Sequence, residues 1–165
     1  MISKHVGSKY DINLTTKEIA RLIREQLKRE FPMCKFSVRC KYFSLGSEIT
    51  VSLMSAPFKV IKDFEEIPEE AIQLSGRPKE QIRELQAERY HQLNKHQLLG
   101  DYNPNEWCNG VYLTERGHNL LKRVVEIVLQ YNKRESDIQA DYFNTNFYFM
   151  LTLGKWGKPF AQATA

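Results

Sequence analysis

Lys35, Arg39 and Lys41 stand two or four positions apart, in a segment where Phe36, Val38, Cys40 and Tyr42 fill the intervening places. In an extended chain the basic residues share one face, about 7 or 13 Å apart along the strand. Phosphates of a nucleic acid recur at comparable spacing, and each one neutralised releases counterions. Arg39 also offers a fork that grips a carboxylate on a protein surface. A second basic series, Lys17, Arg21, Arg24 and Lys28, recurs at helical spacing with Glu18 and Glu25 among it. That interleaving also describes a salt-bridged helix face. Aromatic residues add a third feature. Tyr42, Phe43, Trp107, Tyr112, Tyr142, Phe143, Tyr148 and Trp156 exceed what one small core needs. Aromatics and arginines dominate protein-binding hot spots, and aromatics also stack single-stranded bases. The candidate binding residues are therefore Lys35, Arg39, Lys41, Tyr42, Arg21, Arg24, Trp107 and Trp156.

Catalytic and metal chemistry find weaker support. His91 and His96 are five positions apart, on different faces of a helix, and Cys34 and Cys40 are too distant in a strand to chelate together. Cys108 and His118 flank a loop and a helix start, close enough in sequence to meet, and a half-buried thiol beside Trp107 fits equally. Asp137 and Asp141 are spaced i, i+4, and Glu65, Glu66, Glu69 and Glu70 cluster around Pro68. Paired acids in a dry cleft force one to keep its proton, whereas a turn and a helix start use the same residues for solvation. No phosphate loop, dinucleotide fingerprint or nucleophile elbow is present. The sequence implies no cofactor and no metal.

The elements that position these residues follow from periodicity. Thr15 and Glu18 have capping-box spacing, and Ile19, Leu22, Ile23, Leu27 and Phe31 make the apolar face of a helix over 16–31 that Pro32 stops. Strict alternation predicts strands over 35–42 and 48–53, joined at Ser44-Leu45-Gly46-Ser47 as an antiparallel hairpin. A second amphipathic helix is expected over 115–131, with Leu120, Leu121, Val124, Val125 and Val128 inward. Phe147, Phe149, Leu151 and Leu153 alternate with Tyr148, Met150 and Thr152, so 146–153 should extend the sheet. The expected class is α+β: an antiparallel sheet of at least three strands with both helices on one face. The other face would carry Lys35, Ser37, Arg39, Lys41, Thr50 and Ser52. The 65–100 segment reads as polar surface helices, with one helix over 79–97 anchored by Ile82, Leu85, Tyr90 and Leu93. Residues 154–160 read as an extended aromatic tail, and 161–165 as frayed.

The totals set bounds on this picture. The chain has 165 residues, 42% hydrophobic and 27% charged, the range of one globular domain spanning 1–165. Three cysteines without a close pair fit reduced thiols, and no stretch reads as a membrane span or export signal, so the expected location is the cytoplasm. The net charge is +4, unevenly spread. Residues 1–62 hold 12 Lys and Arg against 5 Asp and Glu, residues 63–106 hold 5 against 10, and residues 107–165 hold 7 against 5. The basic part either faces an acidic partner or is covered by the acidic middle.

Phe31-Pro32, Lys35-Phe36-Ser37-Val38-Arg39, Ser44, Gly46-Ser47, Ile49 and Val51 carry a likeness to a known family. The stretch from about Thr15 to Leu53 resembles the large polyvalent protein-associated domains of phages and conjugative elements. In these a helix leads through a proline turn into a "KFSVR" strand and a Ser-Gly-Ser turn. Glu48 stands where that pattern has Ser, and Leu53 where it has Trp. Asp141-Tyr142-Phe143 and Gly154-Lys155-Trp156 extend a weaker likeness over 141–160. The motif is structural and names no activity. The resemblance implies a mobile element at work in a bacterial host cell. The leading expectation is a non-enzymatic binding protein, in concrete form an anti-CRISPR-like inhibitor occupying a host defence complex. A nucleic-acid-binding accessory module of replication, transfer or regulation is the alternative. A small enzyme using Cys108, His118, Asp137 or Asp141 is the third.

Overall fold

A computed structural model describes residues 2–163. The chain opens with strand β1 (Ile2–Val6) and helix α1 (Thr16–Glu30). The capping box is formed in both directions. The Thr15 hydroxyl accepts from the Glu18 amide at 3.1 Å, and the Glu18 carboxylate accepts from the Thr15 amide at 2.8 Å. β2 (Lys35–Phe43) and β3 (Gly46–Ser55) make the expected antiparallel hairpin. The long helix α5 (Glu115–Leu129) comes much later, after α2 (Glu69–Ser75), α3 (Lys79–Ala87), strand β4 (His91–Gln92) and the single turn α4 (Lys95–Leu98). β5 (Lys133–Asp137), β6 (Tyr142–Thr145) and β7 (Tyr148–Leu153) end the chain's regular elements.

The α+β class holds, with two sheets. The larger is ordered β2-β3-β7-β4, and the smaller, β1-β5-β6, is antiparallel throughout. Ile19, Ile23 and Leu27 of α1 share one core with Leu121, Val124, Val125 and Val128 of α5 and with Val38, Ile49, Val51, Leu53, Phe149 and Leu151 of the larger sheet. Both long helices therefore cover one face of that sheet. β7 joins as expected but runs parallel to β3, from Glu48 beside Tyr148 to Leu53 beside Leu153. Alternation marks the faces of a strand and says nothing of its direction. The long crossover through α5 returns the chain to the same end of the sheet, as parallel pairing requires.

The middle segment differs from the single helix expected over 79–97. α3 stops at Ala87, and extended residues carry the chain to His91 and Gln92, which pair with Leu153 and Thr152 at the sheet edge. Ile67, Ala71, Ile72, Ile82 and Tyr112 form a second, smaller core beneath this segment. Gln86 holds it to the rest of the chain. Its buried amide donates to the carbonyls of Lys62 (2.7 Å) and Tyr112 (2.8 Å) and accepts from the Tyr112 amide (3.0 Å), so one side chain serves as an extra strand rung.

A second hub ties the sheets together. The buried Asn132 amide donates to Asn146 Oδ1 (3.0 Å) and the Phe147 carbonyl (3.1 Å), while Asn146 donates to the Tyr131 carbonyl (2.9 Å). Helix end, β5 and the entry to β7 are thus fixed at one point. The chain end is less free than expected: Ala161 donates to the Met54 carbonyl at 2.9 Å, and Gln162 donates to the Ile61 carbonyl at 2.6 Å. Residues 164 and 165 lie outside the described residues.

Leaving the three backbone groups that Gln86 serves buried and unpaired costs roughly 1–3 kcal/mol for each one that water cannot reach. Gln86→Ala is therefore expected to lower unfolding free energy by about 3 kcal/mol in urea denaturation. A loss under about 1 kcal/mol would show that the second core is held by its apolar contacts alone.

Candidate functional site

The face of the larger sheet that turns away from the helices is built in rungs. Ser37, Ser52, Thr152 and Gln92 make one, and Arg39, Thr50 and Met150 the next. Lys41, Glu48 and Tyr148 follow, so Lys41 has an acidic cross-strand neighbour while Arg39 has a hydroxyl. Ser52 and Thr152 are buried, their hydroxyls 2.7 Å apart, which corrects the expectation that Ser52 lies open. What covers them is the segment after β7.

Gly154 sends that segment back over the sheet. Its φ is +67°, and a Cβ there would collide with the Arg89 carbonyl oxygen and the Phe160 amide. The Gly154 amide donates to the Leu53 carbonyl at 2.9 Å, the Phe160 amide donates to the Arg89 carbonyl at 2.7 Å, and the Phe160 ring is buried in the main core. Between these anchors, Lys155 and Lys158 exchange backbone hydrogen bonds of 2.8 and 3.0 Å around Trp156-Gly157. Gly157, at φ +80°, takes the turn position that requires a left-handed residue. The 154–160 segment is therefore a docked tight turn rather than an extended tail.

This turn borders a groove of about 610 Å³ that Glu88, Arg89, Tyr90 and Trp156 line, and it divides two further grooves. One, about 410 Å³, is lined by Arg39, Lys155, Lys158, Thr50, Tyr90 and Trp156 among others. The second, about 710 Å³, runs on between α1 and the sheet and is lined by Arg24, Lys28, Lys35, Lys155 and Lys158. Neither lining contains an Asp or Glu. Lys155 Nζ donates to the Ser37 hydroxyl at 3.1 Å. Partial desolvation, then the nearby charges of Arg39 and Lys158, hold its ammonium below the usual lysine range. Among the described residues no ion pair engages Lys35, Arg39, Lys155 or Lys158. The acidic middle does not cover them. Glu66 and Asp63 hold Lys59, Glu69 holds Lys79, and Glu80 reaches Arg83.

The eight residues expected to bind divide accordingly. Lys35 and Arg39 line the grooves, and Trp156 stands at the tip of the turn, 89% exposed, with its ring edge-on to Tyr90 at 6.3 Å. Lys41 is on the same sheet face, beside Glu48. Of the helix series, Arg24 turns to the groove and donates to the Val38 carbonyl at 2.7 Å, while Arg21 pairs with Glu25 at 2.9 Å on an exposed surface. Tyr42 belongs to the helix side, where its hydroxyl accepts from the Lys17 amide at 3.0 Å. Trp107 is half-buried at the second core, capped by the Arg77 guanidinium 3.4 Å above its ring. Of the other aromatics Tyr112 is buried, whereas Phe43, Tyr148 and Phe143 make an exposed row with centroid separations of 6.0 and 5.8 Å. Lys155 and Lys158 were not among the residues expected. Their signal was the Gly-Lys-Trp-Gly-Lys run, whose glycines mark a turn that puts both lysines on one side.

The residues weighed for catalysis are placed differently. Cys108 and His118 do line one cavity, but it holds about 10 Å³, barely one water. Burial pushes the Cys108 thiol up, away from the thiolate a nucleophile needs, and a His118 ring nitrogen lies 3.0 Å from the Gly100 carbonyl. Asp137 accepts from the Gln139 amide at 3.1 Å, and Asp141 sits at φ +50° in the same β5–β6 turn. No helix among the described residues is long and apolar enough to cross a membrane.

The chain matches the family of large polyvalent protein associated domain 29 over residues 14–104, more than half its length. It belongs to that family. No curated protein and no solved structure matches it. The match extends the likeness seen at Thr15 to Leu53 through α4, and ends before α5, β7 and the docked turn. Within this domain 29 member, Arg24, Lys28, Lys35 and Arg39 come from the family segment. Lys155, Trp156 and Lys158 come from beyond it. The grooves exist only where the two meet.

Gly154→Ala tests that meeting. A left-handed alanine costs roughly 1–3 kcal/mol before any collision is counted. The variant is expected to lose at least about 2 kcal/mol in urea denaturation and to show fast amide exchange at Phe160 and Ala161. An unchanged exchange pattern would mean that the turn is not held by this position.

Proposed function

We propose that this domain binds single-stranded nucleic acid without chemistry, laying the phosphate backbone along the two grooves and stacking bases on Trp156 beside Tyr90. The observation that carries the reading is the lining. Six cations (Arg24, Lys28, Lys35, Arg39, Lys155 and Lys158) edge two grooves that share the last two, and no acid is among them. Unpaired like charges held this close raise the energy of the empty protein, and a chain of phosphates relieves them all at once. The hydroxyl of Thr50 adds a neutral donor. A flat aromatic between two lysines suits a strand whose bases are unstacked and free to turn inward. The working setting is the bacterial cytoplasm, in the service of a mobile element.

A second reading keeps a protein partner: a host defence component whose acidic surface mimics nucleic acid, bound as an anti-CRISPR-type inhibitor would bind it. The exposed row of Phe43, Tyr148 and Phe143, with Leu45 91% exposed nearby in sequence, favours it. Such a row resembles the aromatic anchors of protein interfaces.

Fluorescence anisotropy with labelled oligothymidylate and a labelled hairpin duplex separates the two. Oligothymidylate is expected to bind more tightly, with log affinity falling against log salt at a slope of roughly −3 to −4 if four to six phosphates are neutralised. K155E/K158E should weaken binding at least tenfold, Trp156→Ala about tenfold, and Arg21→Glu hardly at all. Absence of binding to either oligonucleotide at low salt would overturn the nucleic-acid reading and leave the acidic protein partner.

A further inference from the structure

A second cationic site lies apart from the grooves and shares no residue with them. β1 and β5 pair so that His5 stands beside Arg134, and α4 places Lys95 and His96 across from them. Together with Ser3 and Asn132 these side chains line a cavity of about 180 Å³, far above the roughly 10–15 Å³ that one water needs. No Asp or Glu lines it.

Two of the four basic side chains are spoken for. A His5 ring nitrogen lies 2.9 Å from the Leu129 carbonyl at the end of α5, and Lys95 Nζ donates to the Phe149 carbonyl at 2.7 Å. Those carbonyls fix both groups at the cavity wall and leave the ammonium two further protons to donate. The Arg134 guanidinium and the His96 ring have no hydrogen-bond or ion-pair partner among the described residues. The crowding is felt. Burial, then the Arg134 charge, holds Lys95 below the usual lysine range, and burial, then Lys95 and Arg134, holds His96 below the usual histidine range.

We propose that this cavity is a binding site for a small phosphate-type oxyanion, either inorganic phosphate or the phosphate of a monoester. Arg134 grips two oxygens with its fork, Lys95 supplies a second full charge, and His96 closes the site. A dianion is the better match than a carboxylate, because one negative charge cannot relieve both the guanidinium and the ammonium. The inference does not rest on the nucleic-acid reading.

The test is titration of the ¹⁵N-labelled protein with inorganic phosphate and, separately, methyl phosphate, with sodium chloride adjusted to constant ionic strength. Saturable amide shifts are expected at His5, Lys95, His96 and Arg134, half-complete at or below millimolar phosphate, with no saturable shift at Lys155 or Trp156. Saturation by methyl phosphate as well identifies an open site that takes monoesters; saturation by inorganic phosphate alone identifies a closed one. Arg134→Ala should weaken binding at least tenfold, and Arg134→Lys should restore only part of it. Should Arg134→Ala fail to fold, Lys95→Met carries the same expectation. Shifts that rise linearly without saturating, or that survive either substitution, overturn the proposal.

Discussion

β3 and β7 run side by side through six paired positions, joining residues about a hundred apart in the chain. A parallel pair cannot close through a tight turn, so the intervening segment must cross over and be accommodated. α5 takes that crossover and buries its apolar face beside α1, which completes the core under the sheet. The same pairing sets Thr152 against Ser52 and brings Gly154 to the Leu53 carbonyl. From there the chain turns through Lys155 to Lys158 and re-enters the main core at Phe160. The docked turn and its two lysines are consequences of the β3–β7 register. Slip that register by one residue and every side chain of β7 changes face.

Electrostatics explains why the resulting grooves remain open. The chain carries enough acid to neutralise them, but in its acidic middle Asp63, Glu66, Glu69 and Glu80 pair locally with Lys59, Lys79 and Arg83, and Asp101 pairs with Lys122. Its two helices are held over a core of their own by Gln86 and Tyr112 rather than laid on the sheet. A charge asymmetry visible in the sequence thus becomes a spatial separation. The basic first third contributes Arg24, Lys28, Lys35 and Arg39, and the last stretch closes the ring with Lys155 and Lys158.

How much of this was legible follows from what periodicity encodes. α1, the hairpin and α5 were readable because each is long and half-buried, so its apolar residues recur with the period of its backbone. The capping residue Thr15 even fixed a boundary. The direction of β7 was not readable, since alternation is the same in both senses. β4 has two residues, too few to show any period, and its demand for extended backbone after Ala87 overrode a helical pattern that looked continuous to Gln97. β1, β5 and β6 have little buried surface to pattern them: β1 is exposed along its length and β5 is half-exposed on both faces. At the site, Lys35 and Arg39 stood out by alternation, whereas Lys155 and Lys158 gain their meaning only once Gly154 folds them onto a strand from the other end of the chain.

The proposed contact with the partner is one surface, assembled from the family segment and the docked turn. Amide chemical-shift mapping of the ¹⁵N-labelled protein with an oligothymidylate locates the contact directly. The largest changes are expected at Ser37, Arg39, Tyr90 and Lys155 to Lys158, with Lys17, Arg21 and the acidic helices undisturbed. Changes centred on the exposed helix face around Arg21, or on the Phe43, Tyr148 and Phe143 row, would contradict it.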